Sequence, residues 1–335
     1  MITKRDVESL IDLTGRHNKQ ELTACLVENV RKISASSTIT VYEVFAAQSD
    51  RELDNNPSGY VVRNTSHSVW QGEPLAQHEG FTECIATKKI VHLTPENSLT
   101  TRMIIPVRGA SDIIGLLVID CHNSDTEVLF MIEALSQVWK SQQFLLDRNE
   151  RDGLTGLLNR QALESRIPHL FGEKPNSPQG ATGASGIKCV AMLDLDKFKE
   201  VNDQYGHLFG DEVLVHFTSL MKNSFRPYDY LFRYGGEEFV VVLLNVELDM
   251  AVTILDRFRH TVETYDFPQV GKKTVSIGVI QMTTSELPST LLDRADKALY
   301  FTKQHGRNRV CAYEHLLRSG QLQESVVSSG DIELF

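Results

Sequence analysis

Tyr230-Leu231-Phe232-Arg233-Tyr234-Gly235-Gly236-Glu237-Glu238-Phe239, running on through Val240 to Leu244, is the stretch that decides the reading of this chain. Two apolar, strand-forming runs are split by a glycine pair, which is the pattern of a β-hairpin with a Gly-Gly turn. Glycine can take φ > 0 and lets a ligand lie against the backbone. An ordinary hairpin has no need of two carboxylates just past its turn, whereas a hard cation such as Mg²⁺ takes oxygen ligands of that kind. The hairpin is therefore expected to be a metal–nucleotide site.

The rest of the chain has to accommodate that site. Its 335 residues are enough for two domains, each with its own core. Hydrophobic residues make up 41% and charged residues 23%, the proportions of a globular protein. A net charge of −10 argues against broad binding to polymeric nucleic acid or to an anionic membrane. No apolar run has the length of a membrane span, and Met1-Ile2-Thr3-Lys4-Arg5-Asp6 leads into no signal-peptide core. Cys25, Cys84, Cys121, Cys189 and Cys311 are scattered and form no Cys-x-x-Cys, as expected of reduced thiols in a cytoplasmic protein.

Upstream, an amphipathic stretch from about Arg5 to Ile33 reads as helix and Thr38 to Phe45 as strand. The polar run Asn55-Asn56-Pro57-Ser58-Gly59 follows, and Gln77 to Lys88 is a second helical candidate. Met103–Val107 and Ile113–Asp120, joined by Arg108 to Asp112, read as another hairpin. Together these suggest an α+β module with an antiparallel sheet over residues 1–124. A long helix is expected over residues 125–151, where Val128, Ile132, Leu135, Trp139, Gln142 and Leu146 alternate at four- and three-residue spacing. That is a coiled-coil-like seam, read here as a dimerising stalk, with a helix lying on its own domain as the competing explanation. A second domain is expected over 152–314, interrupted by a Gly/Pro/Ser-rich surface loop over 172–186, and a frayed tail over 315–335.

Within the second domain, strand Cys189 to Leu193 ends at Asp194-Leu195-Asp196, and period-two spacing puts both carboxylates on one side. A carboxylate at a strand end near Glu237 could complete a Mg²⁺ site shared with phosphate oxygens. Asn202 and Asp211 suit a purine edge, because an amide both donates and accepts and a carboxylate accepts two N–H donors. Lys303 and Arg307, four apart on a helix face or its cap, can neutralise phosphates. Singly, each has a plain alternative: a helix cap for Asp194, a turn for Asn202-Asp203, a solvated face for the two cations. The joint pattern decides.

That pattern resembles the GGDEF domain of bacterial diguanylate cyclases, in its GGEEF variant. The likeness covers Asp152 to Val310 in six ordered blocks: Asp152 to Arg160, Asp194 to Asp203, Tyr205-Gly206-His207 to Gly210-Asp211, Gly235 to Phe239, Ser276 to Val279, and Ala295 to Tyr300 with Lys303, Gly306, Arg307, Asn308 and Arg309. It implies a ferredoxin-like core related to nucleotide-cyclase and polymerase palms, and condensation of two GTP into cyclic di-GMP with release of two pyrophosphates. It further implies that Asp194, the Leu195 carbonyl and Glu237 hold Mg²⁺ or Mn²⁺. Glu238 helps deprotonate the 3′-hydroxyl or is a second metal ligand. Asn202 and Asp211 read guanine, Lys199, Lys303 and Arg307 hold phosphates, and Gly235 and Gly236 let the nucleotide lie against the turn. One domain binds one GTP, so a homodimer is implied, with the stalk raising the effective concentration of the two halves.

Arg226-Pro227-Tyr228-Asp229 stands at the offset of the family's product-inhibition site, and the resemblance implies that cyclic di-GMP is an inhibitor as well as the product. A local Arg–Asp ion pair is the plain alternative, and Arg257 is a weaker candidate for the same site. Element order makes the first domain resemble a GAF module, which implies a sensor or dimerisation role and leaves any small ligand unidentified. His67, His78, His92 and His122 lack metal-ligand spacing, and Cys84 and Cys121 read as buried, inert thiols. Two rivals from other classes are a non-catalytic cyclic di-GMP receptor and a GTP-binding regulator of a partner protein.

Overall fold

The computed structural model describes residues 11–15, 19–34, 37–46, 60–64, 73–94, 100–108, 113–121, 126–172, 187–282 and 288–323. Stretches 55–59 and 173–186, His67, His122 and the residues after 323 lie outside these. The chain divides into two units, Met1–Glu150 and Arg151–Phe335.

In the first unit, helix α1 (Lys19–Ile33) precedes strands β1 (Thr38–Ala46), β2 (Tyr60–Asn64) and β3 (Glu73–Pro74). A short helix α2 (Phe81–Thr87), strands β4 (Val91–Leu93), β5 (Thr101–Arg108) and β6 (Ile113–Cys121), and the long helix α3 (Thr126–Asn149) follow. The strands form one sheet in the order β3-β2-β1-β6-β5-β4, antiparallel throughout. The hairpin read between residues 103 and 120 is β5–β6. The helical candidate over 77–88 is cut short at its start, because Gly80 takes φ 80° and only Phe81 onward is helix.

Each strand alternates between two cores, as the two-residue period requires. Met103, Ile105, Leu117 and Ile119 pack with Leu22 and Leu26 of α1 and with Ile132, Leu135 and Trp139 of α3. Ile104, Leu116 and Val118 pack with Leu75, Phe81 and Cys84 on the opposite face. The seam residues Ile132, Leu135 and Trp139 thus belong to the unit's own core. An apolar stripe at this spacing looks the same whether a partner helix or the chain's own sheet covers it. The exposed large apolar side chains of α3 are instead Phe130 and Leu145.

The second unit opens with β7 (Leu158–Asn159) and α4 (Arg160–Gly172). Its body comprises β8 (Lys188–Leu195), α5 (Phe198–Tyr205), α6 (His207–Ser224), β9 (Tyr230–Arg233), β10 (Glu238–Leu244), α7 (Leu248–Thr264), the small strands β11 (Asp266–Phe267) and β12 (Gly271–Lys272), β13 (Val275–Gln281) and α8 (Pro288–Gln304). Strand β14 (Val310–Ala312) and helix α9 (Tyr313–Arg318) close it. The sheet order β14-β13-β8-β10-β9-β7 places β8 at the centre, antiparallel to both β10 and β13. Taken as β8-helices-β9-β10-α7-β13, this is the βαββαβ arrangement of a ferredoxin-like fold.

Ala191, Leu193 and Leu195 face a core shared with Phe217 and Phe258 of α6 and α7. Val190 and Met192 face the other, shared with Ala162 and Leu163 of α4 and Leu291 and Ala295 of α8. Helix α9 bridges the border drawn between 314 and 315, with Tyr313 and Leu316 both buried in that second core. The thiols of Cys84 and Cys189 are pushed by burial up to about 12, and burial also raises Cys121, so these cysteines are poor nucleophiles.

Candidate functional site

The central strand carries its apolar residues to the sheet's end and then turns polar. Asp194 is the last residue of β8 on the face covered by α8, and it stands directly opposite Glu238 of β10 and Ser276 of β13. The hairpin read from the sequence is β9–β10, with Tyr234 to Glu237 as its connection. Tyr234 N and Gly235 N both donate to the Glu238 carbonyl, 2.8 and 3.2 Å, closing the turn. Leu195 N donates to the Glu237 carbonyl at 3.3 Å, which ties the turn to the end of β8.

Neither Gly235 nor Gly236 takes a left-handed φ, so conformational freedom is not what the turn asks of them. Close approach is: a Cβ at position 235 would lie 2.5 Å from Glu238 Oε2. The carboxylate of Glu238 folds back over the bare glycine. Around Gly236 there is open space within 4 Å, room for a ligand against the backbone.

Asp194 is 5% exposed, and Lys303 Nζ from the last turn of α8 lies 2.6 Å from its Oδ2. Burial raises the Asp194 carboxyl above the ordinary range, and the charges of Glu238 and Asp196 add to that; Lys303 opposes them without cancelling the rise. Glu237 is likewise raised, first by burial and then by the charge of Asp194. This is a cluster of crowded carboxylates against one amine. Among the described residues no three His, Cys, Asp or Glu side chains form a ready-made cage for a metal ion. The donor set nevertheless suits a small hard cation that is held by one or two carboxylates and completes its shell with substrate phosphate and water.

Helix α8 reaches this position because β13 lets it approach. A Cβ on Gly278 would stand 2.2 Å from Leu299 N and 2.3 Å from Ala295 O, so only glycine permits the packing. Thr302 Oγ1 donates to the Ile277 carbonyl at 3.2 Å and fixes the helix end. Arg307 does not share a helix face with Lys303: α8 ends at Gln304, and Arg307 lies in the turn beyond, exposed, with φ 60°.

The guanine candidates meet at the corner between α5 and α6. Asn202 Oδ1 lies where a Cβ on Gly210 would be, 2.0 Å away, so the amide packs on the bare glycine next to Asp211. Gly206, with φ 86°, makes the corner. Lys199 is exposed in the first turn of α5. At the far end of the hairpin, Asp229 is 8% exposed and accepts from Arg226 N at 3.0 Å and Leu244 N at 3.3 Å. The local Arg–Asp contact is thus to the Arg226 main chain. The guanidinium of Arg226 is 5.7 Å from the Tyr228 ring centroid. Arg257 donates to the carbonyl of Ser224, two residues before Arg226, at 3.4 Å. Burial pushes Asp229 up to about 6.

Several residues had no assigned role in the sequence reading. Arg233 donates to the Gly235 and Gly236 carbonyls at 3.2 and 2.9 Å and forks onto both oxygens of Asp152 at 3.0 and 3.2 Å. Asp152 also accepts from Thr155 N and Oγ1. Burial, the largest influence on Asp152, would raise its carboxyl, but the Thr155 and Arg233 bonds together hold it below the ordinary range. An Arg two residues before the first glycine of the pair was the available signal. Asp196, 4% exposed, accepts from Thr274 Oγ1, Ser276 Oγ and Asn308 N. Beside Glu238 a cleft of about 550 Å³ is lined by Glu164, Met192, Tyr234, Leu292, Asp293 and Asp296.

A family model described as diguanylate cyclase, GGDEF domain, matches residues 149–309. Diguanylate cyclase A of Treponema denticola is 32% identical over 273 residues, 75% of this chain and 72% of that protein. Diguanylate cyclase DgcM of Escherichia coli (strain K12) is 34% identical over 188 residues, 56% of this chain and 44% of that protein, so the chain spans under half of DgcM. The GGDEF domain of DgcB from Caulobacter crescentus, solved in complex with c-di-GMP, is 33% identical; the match covers 49% of this chain and 96% of that one, with a TM-score of 0.45.

Proposed function

This chain belongs to the GGDEF family of diguanylate cyclases, a nucleotidyltransferase family, and from that premise we propose that it condenses two GTP into cyclic di-GMP and two pyrophosphates. The observation that supports this most is the convergence of Asp194, Glu237, Glu238 and Lys303 at one end of the β8–β10 pair. Diguanylate cyclases of this family use a divalent metal. Asp194, the Leu195 carbonyl and Glu237 would hold it here as Mg²⁺ or Mn²⁺, and when bound it would neutralise phosphate charge.

The chain's own groups supply the remainder. Each 3′-hydroxyl forms a bond to the α-phosphorus of the other GTP as the bond to pyrophosphate breaks, and Glu238, whose carboxylate folds over Gly235, takes the hydroxyl proton or serves as a second metal ligand. Asn202 and Asp211 orient guanine, and Lys199, Lys303 and Arg307 hold phosphates. Two such domains must face each other, which makes the working form a homodimer. Arg226 and Asp229, with Arg257, form an inhibitory site for the product, and the first unit is a GAF-like regulator. Its six-stranded antiparallel sheet with helices on both faces supports that last reading.

Product analysis by mass spectrometry on the full-length protein with GTP and Mg²⁺ tests the proposal. The wild type should form cyclic di-GMP, and Glu237→Ala should lower the rate by about 10²-fold or more, the scale of losing a group that stabilises developing charge. If the wild type forms no product at high concentration, after any bound cyclic di-GMP has been stripped, a receptor role or a requirement for an activating signal at the first unit is favoured.

A further inference from the structure

Arg307 and Asn308 are consecutive side-chain-bearing residues in left-handed backbone, with φ 60° and 46°. Such residues are uncommon and persist only where the surroundings hold them. Here the holding is extensive. Arg307 N donates to the Thr302 carbonyl at 3.1 Å, which anchors the turn to α8. Asn308 N donates to Asp196 Oδ2 at 3.1 Å. The Asn308 amide bridges α7, donating to Glu263 Oε1 at 2.7 Å and accepting from Arg259 Nη1 at 3.1 Å. Asp196 is fixed in turn by Thr274 Oγ1 at 2.7 Å and Ser276 Oγ at 2.6 Å.

Two of these bonds hold the main chain of the turn, at Arg307 N and Asn308 N, and the Asn308 amide ties the same turn to α7. Among the described residues, the Arg307 guanidinium has no partner and is exposed. Charge-assisted bonds to a buried carboxylate are the stronger kind, so Asp196 is the firmest anchor in the set. It lies two residues beyond Asp194, and the anchor therefore refers the Arg307 turn directly to the carboxylate end of β8.

We infer that Asp196 and Asn308 are positioning residues for Arg307. They hold a strained turn whose purpose is to aim one guanidinium at the triphosphate of the bound nucleotide. The identity of that ligand rests on the cyclase reading above. Asp196 acts by accepting the Asn308 N–H, and Asn308 by tolerating the left-handed conformation.

The test uses the full-length protein, Mg²⁺ and the α,β-methylene analogue of GTP, which binds without being condensed, with affinity read by calorimetry. Asn308→Val should weaken binding about tenfold, because a β-branched residue strongly disfavours this φ. Asn308→Ala should weaken it about fivefold and gives the same reading should the valine variant not fold. Asn308→Gly loses the amide bonds to α7 just as valine and alanine do, but it keeps the N–H and adopts the conformation freely, so it should recover binding to within about twofold of wild type and isolate the conformational contribution. In turnover, the valine variant should raise KM for GTP more than it lowers kcat. In an Arg307→Ala background the Val or Ala substitution should cost less than about twofold, since its effect passes through Arg307.

Wild-type affinity in Asn308→Val, a glycine variant as weak as valine, or an undiminished loss in the Arg307→Ala background would each overturn the inference. A wild type that binds the analogue but makes no cyclic di-GMP overturns the cyclase reading instead and leaves the positioning result standing.

Discussion

Replacing Gly278 by alanine tests how the fold brings Lys303 to Asp194. The added Cβ would stand 2.2 Å from Leu299 N, 2.3 Å from Ala295 O and 2.8 Å from Ala298 C. All three are main-chain atoms of α8, and none can swing aside as a side-chain tip can. To restore an ordinary contact of 3.4 Å the helix must retreat by about 1.2 Å. That displacement stretches the 3.2 Å bond from Thr302 Oγ1 to the Ile277 carbonyl and draws Lys303 away from its 2.6 Å contact with Asp194. Overpacking a close-packed core by one methyl costs about 1–3 kcal/mol. In a unit of this size each kcal/mol lowers Tm by about 2–4 °C. A misplacement near 1 Å at a phosphoryl-transfer site can cost up to about 10²-fold in rate. Thermal melting and steady-state cyclic di-GMP formation read the two effects, and Lys303→Met serves as the control that removes the amine while leaving α8 seated. An alanine variant that melts within about 1 °C of wild type and turns over normally would show that α8 is not held by this contact.

Other perturbations address the remaining parts of the site. Gly235→Ala places its Cβ 2.5 Å from Glu238 Oε2, the mobile end of a side chain, so kcat should fall while stability stays within about 0.5 kcal/mol of wild type; an unchanged kcat would remove Glu238 from the chemistry. Arg233→Ala breaks the fork onto Asp152 and frees the Gly235 and Gly236 carbonyls, so denaturant unfolding should show a loss of about 1.5–3 kcal/mol. Because Asp152 is held below its ordinary range, the clamp's contribution is present above about pH 4 and fades as pH falls, and a wild-type minus variant difference independent of pH would contradict it. Asp229 behaves oppositely. Burial lifts it to about 6, above the roughly 3.9 of an unfolded aspartate, so the folded chain holds the extra proton between those values. Stability should therefore fall as pH rises from about 4 to 6 and then level off, by up to about 3 kcal/mol. Asp229→Asn should remove that slope, and a carboxyl titration near 4 by NMR would refute the assignment.

Much of the second unit was legible because its strands alternate cleanly and its glycines sit where backbones meet. The β9–β10 hairpin and the Asp194 strand both stand as their spacing implies, whereas the corner that brings Asn202 to Gly210 and Asp211 was not readable from spacing, because helix resumes already at His207. The role of the glycine pair was misread in one respect: φ > 0 was the expected reason, whereas the observed one is the Glu238 carboxylate lying on Gly235. Sequence spacing cannot distinguish these, because both demand the same residue. The α3 seam illustrates a second limit. Its periodicity correctly marks a buried face, but what covers that face, here α1 and β5, is a tertiary fact. Arg307 illustrates a third. Four-residue spacing from Lys303 suggested one helix face or its cap, and the left-handed turn that separates them depends on Asp196, more than a hundred residues away in sequence.

That last point explains why the joint pattern was decisive when no single motif was. The blocks read along the chain are coupled pairwise in space. Asp152 of the opening block grips Arg233 before the glycine pair. Asn202 packs on Gly210. Asp194 takes Lys303, and Asp196 takes Ser276 and Asn308. Gly278 admits the helix that carries Lys303. A chance occurrence of one block would leave its partner elsewhere with an unmatched charge, a clash or an unfilled bond. The ordered set is therefore constrained as a whole by burial and hydrogen bonding, before any chemistry is asked of it. Of the residues that the proposed reaction assigns to the ligand, Asp194 and Lys303 already hold each other and Asn202 is seated on Gly210, whereas Glu237, Asp211, Lys199 and Arg307 are left by this scaffold to take their partners from the substrate.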